Sequence, residues 1–345
     1  MTRSPTKQWT AVAGRVFAPT RRAALVLMLA AGTCAAQSTS TGPGQPYPSK
    51  LIRMVTGSTA GGAADVTTRQ ITPRLAEALK VQIIVDNRPG VAGMIANEYV
   101  TKAAPDGYTL LMQPGSFMMV SAILNARGAW DPVKSLAPIS QIGAYGFVLA
   151  VHPSVPAKTV KELIAVAKAK PGALTFVSTG IGSNFHLAGE IFRKRAGVEL
   201  WHVPYKGSPP AIVDLVAGRA DTTFMQVPSL LPHIQVGKLR ALGVTGPRRN
   251  PLLPGVPTIA EEALPGYELT GTEWLLAPAG TPREILAKLN AVVTAIFEHP
   301  EMRALWASKG VEFTPGTPEH FTAKFKQDYE KTAAMIREAG VKPEF

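Results

Sequence analysis

The sequence has one cysteine, Cys34, and nothing to pair with it. An intrachain disulfide is excluded, and so is any metal site built on two or more thiolates. Charge is sparse at 17% of residues, and aromatic residues make up 7%. Beyond the N-terminus no apolar run is long enough to span a membrane. Catalytic signatures are missing as well: there is no Gly-x-Ser-x-Gly elbow, no P-loop, and no dinucleotide fingerprint after the first expected strand. The six histidines, His152, His186, His202, His233, His299 and His320, have no metal-ligand spacing. No metal, no cofactor and no enzymatic reaction are expected. What is present is a 46% hydrophobic chain of 345 residues, enough for one large domain or two ordinary ones.

The N-terminus reads as an export signal. Arg3, Lys7, Arg15, Arg21 and Arg22 form a basic region without an acid, and 23–31 is an apolar run followed by small residues up to Ala36. Cleavage is expected after Ala36. The Arg21-Arg22 pair resembles a twin-arginine signal only weakly, so the general secretory route is favoured. Thr33 stands where a lipoprotein signal has Gly or Ala, and Cys34 would leave with the signal. The expected organisation is a signal over 1–36 and a flexible Ser/Thr/Gly/Pro-rich leader over 37–49, then a periplasmic body. The signal holds five of the twelve net positive charges, leaving +7 on the body. Those charges are interspersed with acids, which suits a solvated surface with a mild attraction for anions and no nucleic-acid site.

In the body, strands alternate with helices. Strands are expected at 51–56, 81–85, 108–112, 147–151, 174–177, 200–203, 221–225, 240–244 and 272–277. Helices are expected at 63–80, with Pro73 inside, at 184–196, and after Thr159, Ser208, Thr281 and Thr317. Thr159 and Glu162 have capping-box spacing; Ser208 is read as a cap with Pro209 in first helical position and Gly218 as the stop. This order predicts a parallel or mixed α/β sheet. The C-terminal helices need a sheet to cover, and the N-terminal strands supply one. The result is a first lobe of 50–147 plus 273–345 and a second of 148–272, joined by two crossovers.

Two strand–helix junctions carry loops of small residues, Gly57-Ser58-Thr59-Ala60-Gly61-Gly62 and Ser178-Thr179-Gly180-Ile181-Gly182-Ser183. Such loops direct unpaired N–H groups toward a site above a helix N-terminus, where the helix dipole favours an anion. A carboxylate can be held there without arginine. The same glycines would also serve plain tight turns.

At these loops the chain resembles the Bug family, solute-binding proteins of tripartite tricarboxylate transporters. The resemblance runs from about Tyr47 to the C-terminus. It is carried by Asn87-Arg88-Pro89-Gly90, Ala104-Pro105-Asp106-Gly107-Tyr108-Thr109, His202-Val203-Pro204-Tyr205-Lys206-Gly207 and Leu276-Ala277-Pro278-Ala279-Gly280-Thr281-Pro282, among other segments. It implies a type II periplasmic binding protein, two α/β lobes joined by crossover strands and closing on one ligand. It implies that the two loops hold a carboxylate. The ligand-binding residues expected on this basis are Ser58, Thr59, Gly61, Gly62, Phe117, Ser178, Thr179, Gly182, Ser183, Tyr205 and Met225.

The chain departs from the family pattern in the pocket. Members often have a ring where Ser58 stands, Thr where Phe117 stands, and Trp where Thr272 stands. Several have Asp where Met225 stands, placed to pair with an amino-acid ammonium. Without it an amino-acid ligand is disfavoured. Phe117, Met118 and Met225, with Phe185 and Phe224, suggest an apolar or aromatic dicarboxylate such as terephthalate, with an aliphatic one such as adipate or malate as the alternative. The expected partners are the small carboxylate and the membrane components of the transporter, with the body acting as a monomer. A role as ligand-binding module for a periplasmic sensor fits the same pocket.

Overall fold

The computed structural model describes residues 46–90, 93–124 and 130–341. The expected signal and residues 37–45 of the leader therefore lie outside the described residues. The first half of the chain forms β1 (Ile52–Thr56), α1 (Ala63–Leu79), β2 (Ile83–Asn87), α2 (Met94–Thr101), β3 (Thr109–Pro114), α3 (Gly115–Leu124), α4 (Pro132–Ser135) and β4 (Leu136–Val151). The middle forms α5 (Val160–Ala169), β5 (Thr175–Ser178), α6 (Asn184–Ala196), β6 (Trp201–Pro204), α7 (Ser208–Val216), β7 (Thr222–Gln226), α8 (Val227–Gln235), β8 (Arg240–Val244) and α9 (Ile259–Glu262). The chain ends with β9 (Thr270–Pro278), α10 (Arg283–Glu298), α11 (Pro300–Ala307) and α12 (Pro318–Ala339).

The strands follow the order β2-β1-β3-β9-β4-β7-β5-β6, with β8 also paired to β4. Pairs β1/β2, β1/β3, β5/β6 and β5/β7 are parallel, as strand–helix–strand crossovers require. Both partners of β9, and β7 and β8 on β4, run antiparallel. The fold is thus a mixed α/β sheet, as the order of elements predicts. The long strand β4 belongs to both wings. It pairs with β9 over Leu136 to Gly146 and with β7 from Phe147 to Val151. Only 147–151 was expected as strand; the preceding half is rich in Gly, Ser and Gln and shows two register shifts against β9.

Strands buried on both faces read as apolar runs, and their period of two sorts the side chains into layers. In the first wing Met54, Leu110, Met112 and Leu275 face α1 and α10 through Ile71, Leu75, Leu289 and Val293. Val55, Leu111, Trp274 and Leu276 face the opposite way, toward Phe321 and Phe325 of α12. In the second wing Phe147, Leu149, Phe176 and Phe224 share one layer with Leu163 and Phe192. Val148, Ala150, Val177 and Met225 share the other with Ala211, Leu215 and Leu230. Helix α12 serves both wings: Met335 and Ala339, farther along it, pack on the second wing's core, and Glu338 pairs with Arg195 at 2.6 Å.

Two expected caps differ in detail. Thr159 Oγ1 accepts the Glu162 N–H at 3.1 Å, but the Glu162 carboxylate accepts the N–H of Lys158, one residue earlier, so only half of a capping box forms. Ser208 is the first residue of α7 rather than its cap. Gly207, at φ +106°, is the N-cap and offers no side-chain oxygen.

Candidate ligand-binding site

A cavity of about 540 Å³ opens at the carboxyl ends of the parallel strands, where open α/β sheets gather their loops. Its walls come from the loop after β1 (Ser58 to Gly62), the start of α3 (Ser116, Phe117), the loop after β5 (Thr179, Ser183 to Phe185), the loop after β6 (Lys206 to Pro209) and α8 (Ser229). Tyr145 and Phe147 of β4, Gln226 of β7 and Glu273 of β9 complete it. Phe147 sets its ring edge-on against both Tyr145 and Phe185, at 5.8 and 5.1 Å between centroids. The three rings form one aromatic cluster, with Phe147 fully buried between the half-buried Tyr145 and Phe185.

The first loop is held from behind. Asp65, in the first turn of α1 and 1% exposed, accepts the Gly61 N–H at 2.8 Å and the Asn87 amide at 2.8 Å. The Arg69 guanidinium reaches the same carboxylate at 2.9 Å. Burial alone would raise this carboxyl; the hydrogen bonds from Arg69, Asn87 and Gly61 outweigh it and hold the group at about 2. The Asn87 amide also donates to the Ser58 carbonyl at 3.0 Å. Gly57 N–H donates to Gln113 at 2.9 Å and Gly62 N–H to the Thr59 carbonyl at 2.9 Å. The N–H groups of Thr59 and Ala60 are left without a protein acceptor among the described residues. Gly62, the N-cap of α1, supplies no side-chain oxygen, so the first-turn N–H groups are also open.

The second loop follows the same plan with different parts. Gly182, at φ +76°, lies where a side chain would be strained. Its N–H donates to His186 Nδ1 at 3.2 Å, which places the His186 proton on Nε2. Ser183 caps α6 by accepting the His186 N–H at 3.2 Å. Ser178 Oγ takes the Gly180 N–H at 3.1 Å and lies 2.8 Å from His202 Nε2. The free donors toward the cavity are then the N–H groups of Thr179, Asn184 and Phe185. The two loops thus present two helix N-termini, α1 and α6, to one space.

Seven of the eleven expected residues line this cavity: Ser58, Thr59, Gly61, Gly62, Phe117, Thr179 and Ser183. Four do not. Ser178 is fully buried and braces the second loop. Gly182 stands behind it. The Tyr205 hydroxyl donates to Asp214 at 2.6 Å. Met225 is fully buried in the layer with Val148 and Leu230, on the face of β7 away from the cavity. Its expected role in the wall is corrected on that ground, and with it the inference drawn from the absence of Asp there. Met118 and Phe224 are core residues too. The glycines Gly61 and Gly62 shape the loop, but their N–H groups are spent internally. Residues not expected at the site include Ser116, Tyr145, Asn184, Ser229 and Glu273. No group of three or more metal-ligating side chains occurs among the described residues.

Comparison with known proteins decides the family. The model of the tripartite tricarboxylate transporter family receptor, TctC, matches residues 67–341. The chain belongs to this family. It is similar to Protein BugT of Bordetella pertussis, 32% identical over 320 residues that cover 92% of this chain and 96% of BugT. Among solved structures it is similar to Rpa4515 of R. palustris with adipate (TM-score 0.78, 32% identity, 86% of this chain and 99% of that one). It is also similar to MatC of Rhodopseudomonas palustris with bound malate (TM-score 0.74, 26% identity, 84% and 100%). As a TctC-type receptor the chain is a solute-binding protein and not an enzyme. No helix among the described residues of this TctC receptor is long and apolar enough to cross a membrane.

Proposed function

We propose that this receptor captures a small dicarboxylate in the periplasm and presents it to the membrane components of a tripartite tricarboxylate transporter. The observation that carries the reading is the pairing of two helix N-termini across one cavity, each with unspent N–H groups and flanked by the hydroxyls of Ser58, Thr59 and Thr179. One carboxylate bridging Thr59 and Ala60 on one side and Asn184 and Phe185 on the other would be neutralised by backbone dipoles alone. Adipate and malate in the matched structures make a dicarboxylate the natural class. Residues 1–36 would direct export and be removed.

An aromatic dicarboxylate such as terephthalate is a second reading, favoured by Phe117 and Phe185 among the cavity-lining residues. It no longer draws on Met225. Either ligand would act by shifting population: the wings open and close about β4 and β9, and a solute touching both loops favours the closed form that the transporter recognises. The monomeric state follows the same reading.

Thermal unfolding of the mature protein with adipate, malate, terephthalate and glutamate tests it. A ligand at one hundred times its dissociation constant adds about 2.7 kcal/mol, a rise of several degrees. Stabilisation by one or more dicarboxylates supports the proposal, and terephthalate above adipate selects the aromatic reading. Stabilisation by glutamate alone would keep the dicarboxylate class and select an amino acid within it, whereas stabilisation by none of the four would overturn the ligand class.

A further inference from the structure

Glu273 is the least expected group in the cavity wall. It sits on β9 between Pro114 of β3 and Gly143 of β4, neighbours that bring no side-chain donor. Its side chain is 5% exposed, yet it borders two spaces: the 540 Å³ cavity and a second one of about 240 Å³ behind it. Tyr145 and Gln226 are the other residues common to both walls. Oε1 receives only a long contact, 3.4 Å, from the Tyr145 hydroxyl, and Oε2 has no partner.

The groups that could charge-compensate it are accounted for. Among the described residues, the ionisable neighbours on the two walls are Tyr145, Lys206 and Lys309. Lys309 donates to Gln70 on α1 and stands over the Trp306 ring. Lys206 is exposed at the rim. Neither forms an ion pair with Glu273. Burial without a cation pushes the carboxyl up to about 8. Near neutral pH the group is then mainly an acid with an O–H to give, facing a site that already attracts an anion.

We propose that Glu273 enters the ligand complex as a neutral carboxylic acid and donates its hydrogen to the distal carboxylate of a dicarboxylate held by the other end at the N-termini of α1 and α6. This rests on the dicarboxylate reading above. It gives the otherwise orphaned acid a partner and gives the second carboxylate a neutral donor. It also makes binding proton-linked: a second anion beside Glu273 holds the proton more tightly, so the complex takes up a proton as the pH rises past the free value.

Calorimetric titration of adipate, malate and terephthalate into the mature protein between pH 6.5 and 9 tests this, repeated in buffers of different ionisation enthalpy. For a group that must be protonated, starting from about 8, affinity falls about tenfold from pH 7 to pH 9. Proton uptake should approach one per ligand at the upper end. Glu273→Gln keeps a donor of the same shape but cannot titrate, so the slope with pH should be lost whatever affinity remains at pH 7. Any slope due to Lys309, whose burial lowers its ammonium, survives in that variant and is subtracted. Equal slopes in both proteins, no proton uptake, or affinity rising with pH would each overturn the proposal; the last would mean an ionised Glu273 accepting from the ligand. The wild-type proton count decides the matter even if the variant folds poorly. Failure of all three acids to bind at pH 6.5 would sink the dicarboxylate reading itself, whereas binding without proton linkage would sink only the role of Glu273.

Discussion

The imidazole rings of His186 and His202 lie 4.4 Å apart, tilted by 37°, with Phe176 stacked on His202 at 4.7 Å. Two positive charges could not share that space cheaply. Burial, then the nearby Arg193, lowers His186 to about 4. Burial, then His186 itself, lowers His202 to about 4. His186 is thus neutral near pH 7, and its 3.8 Å approach to Glu190 is no ion pair; Glu190 is held by Arg193 at 2.7 Å.

The pH consequence follows from these directions. In the unfolded chain both histidines bind protons near pH 6.5, whereas in the native state they resist until about 4. Between those values the unfolded state holds more protons, so stability falls as pH is lowered through the window and the loss is complete below about 4. Denaturant midpoints at pH 7.5, 5.5 and 4.5 should drop accordingly. His186→Gln keeps an acceptor for the Gly182 N–H, so it should make the drop smaller by roughly 2 kcal/mol. An unchanged acid slope in that variant would show that the pair is not the sensor.

Asp65 never touches the cavity surface through its carboxylate, yet it sets the first loop. Asp65→Ala would free the Gly61 N–H, the Asn87 amide and Arg69 together. The expected cost is about 1–3 kcal/mol in stability, with weaker binding of whatever dicarboxylate the protein takes. Asp65→Asn should recover some of the stability by keeping one acceptor. Because the native carboxyl is held low, the stabilisation stands above the usual aspartate range and is lost only as pH falls toward 2. Unfolding curves and a binding titration of the two variants check this; a variant with native stability and reduced affinity would mean that Asp65 acts on the ligand rather than on the loop.

The difference between Met225 and Gln226 marks where sequence reading ran out. Resemblance pointed to the end of β7, where Gln226 lines the cavity, but adjacent strand residues face opposite layers, and a shift of one position exchanges core for cavity. Element types were legible where apolar period and caps agreed, as in α6, expected and found at Asn184–Ala196. The first half of β4 was not legible, because Pro138, Ser140, Gln141 and Gly143 interrupt any apolar run and only pairing with β9 makes it a strand. Glu273 was equally hidden. A lone acid in a strand reads as solvent-facing, and the residues that share both cavity walls with it, Tyr145 and Gln226, are far away along the chain.

Met225→Asp therefore becomes a stability test, not a specificity test. A carboxylate inserted among Val148, Val177, Leu215 and Leu230 has no cation to meet. A loss of several kcal/mol is expected, large enough to lower soluble yield. Phe117→Ala is the matching change on the cavity wall, where space opens toward solvent. It should cost less stability and act mainly on the affinity for an apolar-bodied ligand. Thermal unfolding of both variants, with and without dicarboxylate, separates the roles. A Met225→Asp protein that folds normally and gains affinity for glutamate would restore Met225 to the pocket.

Gly57 is required for close approach, which can be distinguished from a need for unusual backbone angles. A Cβ there would come within 2.7 Å of the Gly93 Cα and 2.5 Å of the Gln113 amide nitrogen. That amide is the buried hub of the loop, donating to Gly93 at 3.3 Å and to Asn97 at 3.1 Å while its oxygen receives the Gly57 N–H. Gly57→Ala must therefore push the Gly57 and Gly93 backbones apart or expel Gln113 from its bonds, and about 1–3 kcal/mol is expected from overpacking and a lost buried hydrogen bond. Gly61→Ala is the control. Nothing lies within 4 Å of its Cβ, but φ is +78°, so it should cost only the backbone strain of about 1 kcal/mol. If thermal unfolding ranks the two the other way round, the loop is held by its backbone angles and not by its packing on Gln113.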